Sequence, residues 1–280
     1  MRRTLQTGFA PVAPIQLLER LWKYENENEN EDITLGGYHL LLAHDVMESD
    51  DKKTRFKALF EDVRDAYGPH TVNIIMDNSV IELGGAVDMR WVMEAARIAT
   101  ANIVVIPDEM HEADATIDKL AQIIGSLSSE EKSEFEFMFV PQGRTINEFV
   151  RCIEAAQKFR PTVSWLGIPR LAQAHLGSRR FLLEAAQQIC ACDVMEEDSP
   201  MSFHLLGFSD HVVDDIACAG LGIAEGIDSA VPVRCGQKGE DFRLSRSDYG
   251  KRESYWQDDK TLNDKTINNL DYVRRLIKMR

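Results

Sequence analysis

The sequence predicts an α/β protein with a (β/α)8, TIM-barrel-like architecture. Apolar, β-branched-rich runs of strand length recur along the chain, and segments with helical periodicity separate them. The ends of these runs lie about 25 to 40 residues apart, which is the length of a βα unit. An open doubly wound sheet has the same alternation, but no G-x-G-x-x-G or Walker-type phosphate loop follows an early strand. The barrel is therefore the favoured architecture.

Seven strands are predicted, at residues 38–43, 72–76, 102–106, 135–140, 162–168, 202–207 and 227–231. The sequence leaves open whether the eighth strand lies within residues 4–12, is modified or is missing. Helices are predicted where apolar residues recur on one helical face, at residues 15–22, 56–67, 146–153 and 270–277. Strand and helix thus alternate through most of the chain.

Length and composition predict a single barrel domain over residues 1–280. The chain is 44% hydrophobic and 28% charged, which is enough for a substantial core and excludes disorder as the main state. A low-complexity acidic run at about residues 25–32 predicts a solvated loop. No run approaches the ~20 apolar residues of a membrane span, and the first residues lack a secretory apolar stretch. We expect a cytoplasmic protein, with its five cysteines as free thiols.

The charge distribution restricts how the chain can bind a polyanion. The net charge of −14 argues against a protein that coats nucleic acid through bulk electrostatics. Residues 234–280, however, carry 12 Lys and Arg against 8 Asp and Glu, so this part is +4. The basic C-terminal helical tail at about residues 235–280 is therefore the expected contact for a polyanion. The alternative is that its basic side chains form only the solvated face of a terminal helix.

Polar residues follow almost every predicted strand, and this pattern predicts the site. They are His44-Asp45, Asp77-Asn78-Ser79, Asp108-Glu109, Gln142-Gly143-Arg144, Pro169-Arg170 and Ser209-Asp210, with Asp228 near the start of the last strand. Because the carboxyl ends of barrel strands converge on one face, these side chains are expected to share a pocket. Acids and a glutamine suit chemistry at a carbon with a nitrogen or oxygen leaving group: one carboxylate attacks while another moves protons.

A metal site is the alternative interpretation of the same pocket. The candidate ligands of a barrel hydrolase would be His44, Asp45, Asp77, Asp108 and His204. No H-x-H or H-E-x-x-H spacing supports it, and His204 within its strand is typical of a satisfied core histidine. Cys190 and Cys192 have no second cysteine pair nearby. We therefore expect no metal and no cofactor.

Six short segments resemble motifs of the tRNA-guanine transglycosylase superfamily, whose members are modified (β/α)8 barrels that exchange guanine for a 7-deazaguanine. They occur in the family's order between about residues 70 and 234. The segments are Met76-Asp77-Asn78-Ser79, Pro107-Asp108-Glu109, Val140-Pro141-Gln142-Gly143, Trp165-Leu166-Gly167, His204-Leu205-Leu206-Gly207 and Asp228-Ser229-Ala230-Val231-Pro232-Val233-Arg234. They are similar to the family's S-D-S-G-G, F-D-E, V-Q-G-G, glycine, Y-L-M-G and D-C-V-x-P-T-R segments, respectively.

The resemblance implies a role for each matched residue in a guanine/7-deazaguanine transglycosylase, which is a pentosyltransferase. Asp228 would be the nucleophile that attacks C1′, and Asp77 would be the general acid and base. The substrate-binding residues would be Asp108, Gln142, Gly143, Gly167, Leu206, Gly207 and Arg234. Arg144 is a further candidate for holding phosphate, although surface ion pairs are the alternative for both arginines.

Two departures from the family pattern bear on the substrate. The glycine pair expected directly after Asp77 is absent, although Gly84 and Gly85 follow seven residues later. The tRNA-modifying members carry C-x-C-x2-C and a distant His after the nucleophile, whereas only Cys235 follows Asp228 here. The chain therefore looks more like the DNA 7-deazaguanine transglycosylases of phages and bacterial modification systems. DNA is the expected polymer, ahead of tRNA.

Further expectations about partners follow from the resemblance. The incoming base would be a 7-deazaguanine such as preQ0 or a derivative. Because the acidic remainder of the chain repels a polyanion, a homodimer or a partner protein would assist binding. The alternatives that stay open are a tRNA-guanine transglycosylase, a non-catalytic partner subunit of such an enzyme, and a metal-dependent barrel hydrolase.

Overall fold

The structure is a computed structural model of the 280-residue chain. It describes residues 8–28, 37–68, 71–85, 87–172, 176–192, 200–208, 215–218, 224–243 and 261–278. The predicted polar pair Ser209-Asp210, residues 29–32 of the acidic run and residues 244–260 and 279–280 of the basic tail lie outside the described residues.

Eight parallel strands form a nearly closed barrel, as in a (β/α)8 fold, so the predicted fold class is confirmed. The strands are β1 (Gly8–Pro11), β2 (Tyr38–Leu42), β3 (Asn73–Asp77), β4 (Ile103–Val105), β5 (Glu136–Phe139), β6 (Val163–Pro169), β7 (Ser202–Leu206) and β8 (Gly226–Ser229). The hydrogen-bonded order runs β1-β8-β7-β6-β5-β4-β3-β2. One seam, between β1 and β2, is unsealed. The eighth strand is β1, within the predicted residues 4–12.

Helices surround the strands, and the four predicted helices are among them. They are α1 (Ile15–Asn28), α2 (Ala43–Val46), α3 (Asp50–Tyr67), α4 (Val80–Leu83), α5 (Met89–Ile98), α6 (Ala113–Ser126), α7 (Ser129–Glu134), α8 (Ile146–Gln157), α9 (Arg179–Cys192), α10 (Val231–Gln237) and α11 (Asp264–Lys278). Local signals start several of them. For example, Ser49 caps α3 by accepting from the Lys52 amide, and Thr145 with Glu148 forms a capping box on α8. No helix among the described residues is long and apolar enough to span a bilayer.

Alternation of inward- and outward-facing residues along the strands sorts the core into two layers. Leu41 packs outward against the helices, whereas Leu40 and Leu42 belong to the separate cluster inside the barrel. The same period of two sends Ile75 inward and Met76 outward on β3. Asp77, the next residue, therefore faces the barrel interior at the carboxyl end of its strand. This register carries the polar residues into the pocket described below.

Two predictions about the flanking segments need correction. The acidic run does not begin as a loop, because residues 25–28 continue α1 and Glu25 is only 7% exposed. Its carboxylate lies 3.7 Å from the guanidinium of Arg274 on α11. Arg274 is therefore neither on a solvated helix face nor available to a polyanion.

The close approach of α11 to α10 occurs at Gly236, where a Cβ would lie 2.4 Å from the Thr266 Cα.

Candidate active site

A pocket opens at the carboxyl ends of the strands, where the sequence pattern places it. Its walls come from the apolar interior of the barrel, including Val105 and Val140. Its polar lining consists mainly of carboxylates and amides, with arginines at two positions. These residues are Asp77, Asn78, Glu82, Asp108, Gln142, Arg170, Asp228, Ser229 and Arg234. An apolar pocket with a few convergent polar groups is the usual form of a small-molecule site.

The structure fixes one of the two carboxylate oxygens of Asp228 on β8. Its Oδ1 accepts a hydrogen bond from the Gly207 amide at 2.8 Å and lies 3.0 Å from Nε2 of His204. Among the described residues, no donor contacts Oδ2. The side chain of Asp228 is 10% exposed and lines the pocket. A carboxylate held by one oxygen presents the other to a ligand in a defined direction.

The Gly207 amide is aimed at Asp228 by a buried arginine. Arg179 on α9 donates to the carbonyl of Leu206 at 2.5 Å and to that of Ile168 at 2.7 Å. Because a trans peptide is planar, fixing the Leu206 carbonyl also fixes the N–H of Gly207 on the opposite side. Gly207 has φ of 68°, in the left-handed region that favours glycine. Arg179 therefore orients the donor without contacting the pocket.

The surroundings of Asp77 at the end of β3 favour the protonated form of its carboxyl group. Burial raises the pKa of this carboxyl well above its usual range, and the nearby charges of Glu82, Asp228 and Asp108 raise it further. The amide of Ser79 donates to its Oδ2 at 2.9 Å and opposes this effect. Asp77 and Asp228 thus line one pocket with different tasks open to them. A protonated carboxyl can donate a proton, and an ionised one can act as a nucleophile.

Asp108, Asn78 and Gln142 form a hydrogen-bonded set in the same pocket. Asn78 Nδ2 donates to Asp108 Oδ1 at 3.1 Å, and Gln142 Nε2 donates to Asp108 Oδ2 at 2.5 Å. The His111 amide donates to Gln142 Oε1 at 3.1 Å, which fixes the orientation of the amide. Burial raises the pKa of Asp108 to about 6, while the two amide donors lower it. Near neutral pH this set offers both acceptors and donors to the edge of a heterocycle.

The structure brings most of the predicted site residues together. Asp77, Asp108, Gln142, Leu206, Gly207, Asp228 and Arg234 all line the pocket. Gly143 and Gly167 do not belong to the described residues that line the pocket. Gly143 packs under α8, where a Cβ would lie 2.7 Å from the Glu148 Cβ. Gly167 faces the barrel interior, and a Cβ there would lie 2.8 Å from Cδ1 of Leu206. Arg144 is exposed and forms an ion pair with Glu112.

Three residues shape the site in roles that the sequence analysis did not assign to them. Asn78 and His204 carried a usable signal, because alternation places His204 on the interior face and Asn78 directly follows the inward-facing Asp77. His204 is fully buried, as expected of a core histidine, but its partners are Asp228 and Tyr38. Arg179 carried no signal, since its role depends on how α9 docks on β6 and β7.

The candidate metal ligands do not form a cluster in the described part of the chain. No group of three or more His, Cys, Asp or Glu side chains with the geometry to hold a metal ion occurs there. Asp45 is instead paired with the buried ammonium of Lys52. Burial lowers the pKa of His44 to about 4, and the charge of Lys52 lowers it further.

The comparisons with known proteins identify no family for this chain. No protein-family model matches the chain, and no curated protein is found to be similar to it. The pocket and the six motif resemblances are therefore the observations that bear on function.

Proposed function

We propose that the chain is a base-exchange transglycosylase that replaces guanine in a nucleic acid with a 7-deazaguanine. The observation that carries the proposal is the presence, in one pocket, of Asp228, whose Oδ2 meets no donor in the described part of the chain, and of Asp77, whose pKa is raised by burial. Both residues occupy the positions that the motif resemblance gives to the nucleophile and the acid. A pair of carboxyl groups with separated tasks is what covalent exchange at an anomeric carbon requires.

The exchange proceeds in two displacements. The target nucleotide is extruded into the pocket, because the stack hides its C1′. Asp228 Oδ2 attacks C1′, the bond from C1′ to the guanine nitrogen breaks with its electron pair going to the base, and Asp77 donates a proton to the base. The incoming 7-deazaguanine gives a proton to Asp77, and its nitrogen then displaces Asp228 from C1′. Asp77 is protonated again at the end of the cycle.

Base selection is assigned to the amide and acid set. The ionised Asp108 accepts from the ring N–H and the exocyclic amine of guanine, and Gln142 donates to a base acceptor. A base with a different edge would leave these buried groups unpaired, at a cost of about 1–3 kcal/mol for each unsatisfied group. Arg234, which lines the pocket, is assigned to a phosphate of the polymer.

DNA is the proposed polymer, ahead of tRNA, because the cysteines of the family's zinc subdomain are missing after Asp228. The net charge of −14 supports assistance from a second copy or a partner protein. DNA modification of this kind takes place in the cytoplasm of a bacterial cell, which is the proposed location.

The test offers guanine-labelled DNA and guanine-labelled unmodified tRNA separately, each with preQ0, and follows release of the label. Asp228→Asn is nearly isosteric and should abolish both release and a covalent protein–nucleic acid adduct. The matched control is Asp88→Asn, at an exposed helix cap outside the pocket, which should leave the rate unchanged. Full activity of Asp228→Asn would refute the mechanism. Release from tRNA alone would refute only the choice of polymer.

A further inference from the structure

A row of buried polar side chains lies beneath Asp228 inside the barrel. The hydroxyl of Tyr38 on β2 lies 2.6 Å from Nδ1 of His204 on β7, and Nε2 of His204 lies 3.0 Å from Asp228 Oδ1. His204 is fully buried and Tyr38 is 7% exposed. The row runs from the first residue of β2, at the amino-terminal end of the strands, up to the floor of the pocket.

The barrel is shaped to let Tyr38 reach His204. The register aligns Gly8 with Gly226, and Gly226 with His204, along one row of neighbouring strands. A Cβ on either glycine would lie 2.3 Å from the Tyr38 ring. The two glycines therefore leave the space in which the tyrosine crosses from β2, over β1 and β8, to stack on His204 with ring centroids 5.6 Å apart.

The proton positions along this row follow from burial. Burial raises the pKa of Tyr38 well above its ordinary value, and the charges of Glu225 and Asp228 raise it further, so the phenol keeps its proton. Among the described residues, Nδ1 of His204 is the acceptor within reach of that proton. If Nδ1 carried a proton instead, the buried hydroxyl proton would lose its acceptor, which is costly. Tyr38 thus donates to Nδ1, and the hydrogen of the imidazole resides on Nε2, facing Asp228.

We propose that Tyr38 and His204 are positioning residues that hold the Asp228 carboxylate for attack. This inference rests on the proposed function, in which Asp228 is the nucleophile. The Nε2–H of His204 and the amide of Gly207 both donate to Oδ1, so charge and free lone pairs concentrate on Oδ2. Tyr38 acts one step further back by fixing the tautomer of His204, as partners of metal-bound histidines do for their rings.

The kinetic test compares steady-state exchange in three variants. Tyr38→Phe keeps the ring over the two glycines and removes only the hydroxyl. We expect it to lower kcat about tenfold with little change in KM, and His204→Phe to lower kcat about 100-fold, as for hydrogen bonds to charged groups. His204→Gln retains a donor that can reach Asp228 and should recover most of that loss. The matched control, Tyr272→Phe on α11, removes a hydroxyl that is not part of the described pocket lining and should have no effect on exchange.

A second measurement needs no substrate. Nitrogen-15 spectra of the histidine side chains should show His204 with its hydrogen on Nε2 in the wild type, with the signal identified through His204→Gln. Tyr38→Phe should shift this signal towards the other tautomer. Hydrogen on Nδ1 in the wild type would overturn the inference, and so would wild-type exchange rates in Tyr38→Phe and His204→Phe.

The outcome separates this inference from the proposed function. If the wild type exchanges base and Asp228→Asn does not, while the Tyr38 and His204 variants match the wild type, only the positioning role fails. If the wild type releases label from neither polymer, the proposed function fails and the role of these residues fails with it, whatever the spectra show.

Discussion

Removing the side-chain amide of Asn78 should move the pH dependence of base binding upward. Asn78 donates to Asp108 Oδ1 at 3.1 Å and to the Ile106 carbonyl at 3.1 Å, so Asn78→Ala removes one of two amide donors from a buried carboxylate. The ionised form of Asp108 loses stabilisation while its burial stays. Its pKa therefore rises, and base binding, which uses the ionised form, weakens at neutral pH.

The energy of the lost hydrogen bond sets the size of the expected rise in the pKa of Asp108. A hydrogen bond to a charged group contributes about 1.5–3 kcal/mol, and about 1.4 kcal/mol corresponds to one pKa unit. The pKa of Asp108, raised to about 6 in the intact protein, should rise by at least about one unit in the variant. At pH 7 the ionised fraction would fall from about nine-tenths to about half or less. Guanine affinity at that pH should drop at least about twofold from titration alone.

Calorimetric titration with guanine, from about pH 5 to about pH 9, measures the effect as the midpoint of the affinity profile. The wild-type midpoint should lie near the pKa of Asp108, and that of Asn78→Ala should lie clearly above it. Asn147→Ala, at an exposed position on α8, serves as the matched control. Identical midpoints for Asn78→Ala and the wild type would show that base affinity does not depend on the ionisation of Asp108.

Three further predictions concern catalysis, packing and stability. Asp77→Asn should slow exchange about 10²- to 10⁴-fold while guanine binding persists, and an unchanged single-turnover rate would remove Asp77 from the mechanism. Gly226→Ala should lower the free energy of unfolding by about 1–3 kcal/mol in urea titrations, because its Cβ would overlap the Tyr38 ring; equal stability would contradict the crowding argument. Burial raises the pKa of Glu25 from 4.5 to about 8, so the folded state binds the extra proton between these values. Its contribution to stability is present below about pH 4.5 and is lost as the pH rises through about 8. Glu25→Gln should flatten this slope in pH-dependent unfolding, and an equally steep slope would exclude Glu25 as its source.

The fold and the floor of the pocket could be predicted because side chains along a strand alternate between the two faces, and this alternation is visible in the sequence. Leu40 and Leu42 alternate with Leu41, and the same rule sends Asp77 and Asp228 to the interior at strand ends. The carboxyl ends of the strands converge in every parallel barrel. The sequence was therefore enough to predict that these acids share one pocket.

The remaining features depend on long-range packing, which periodicity does not encode. The contact of Arg179 with Leu206 requires knowing how α9 lies across two strands. Burial of Glu25 against Arg274 joins the first and last helices, in a segment whose composition is typical of a solvated loop. Gly143 and Gly167 match the family motifs, but this match did not predict their role in the structure, which is close packing.

The unsealed seam has a mechanical consequence for the pocket floor. Tyr38 belongs to the strand on one side of the gap, and Asp228 sits on the strand that pairs with the other side, so the chain of hydrogen bonds beneath the nucleophile crosses the part of the barrel wall with no strand ladder. Parting two strands elsewhere around the wall breaks a ladder of backbone hydrogen bonds, whereas the described residues of β1 and β2 form no such ladder with each other. The contact of Tyr38 with His204 therefore spans the seam, and a wider gap at this point would lengthen that contact without separating a paired strand.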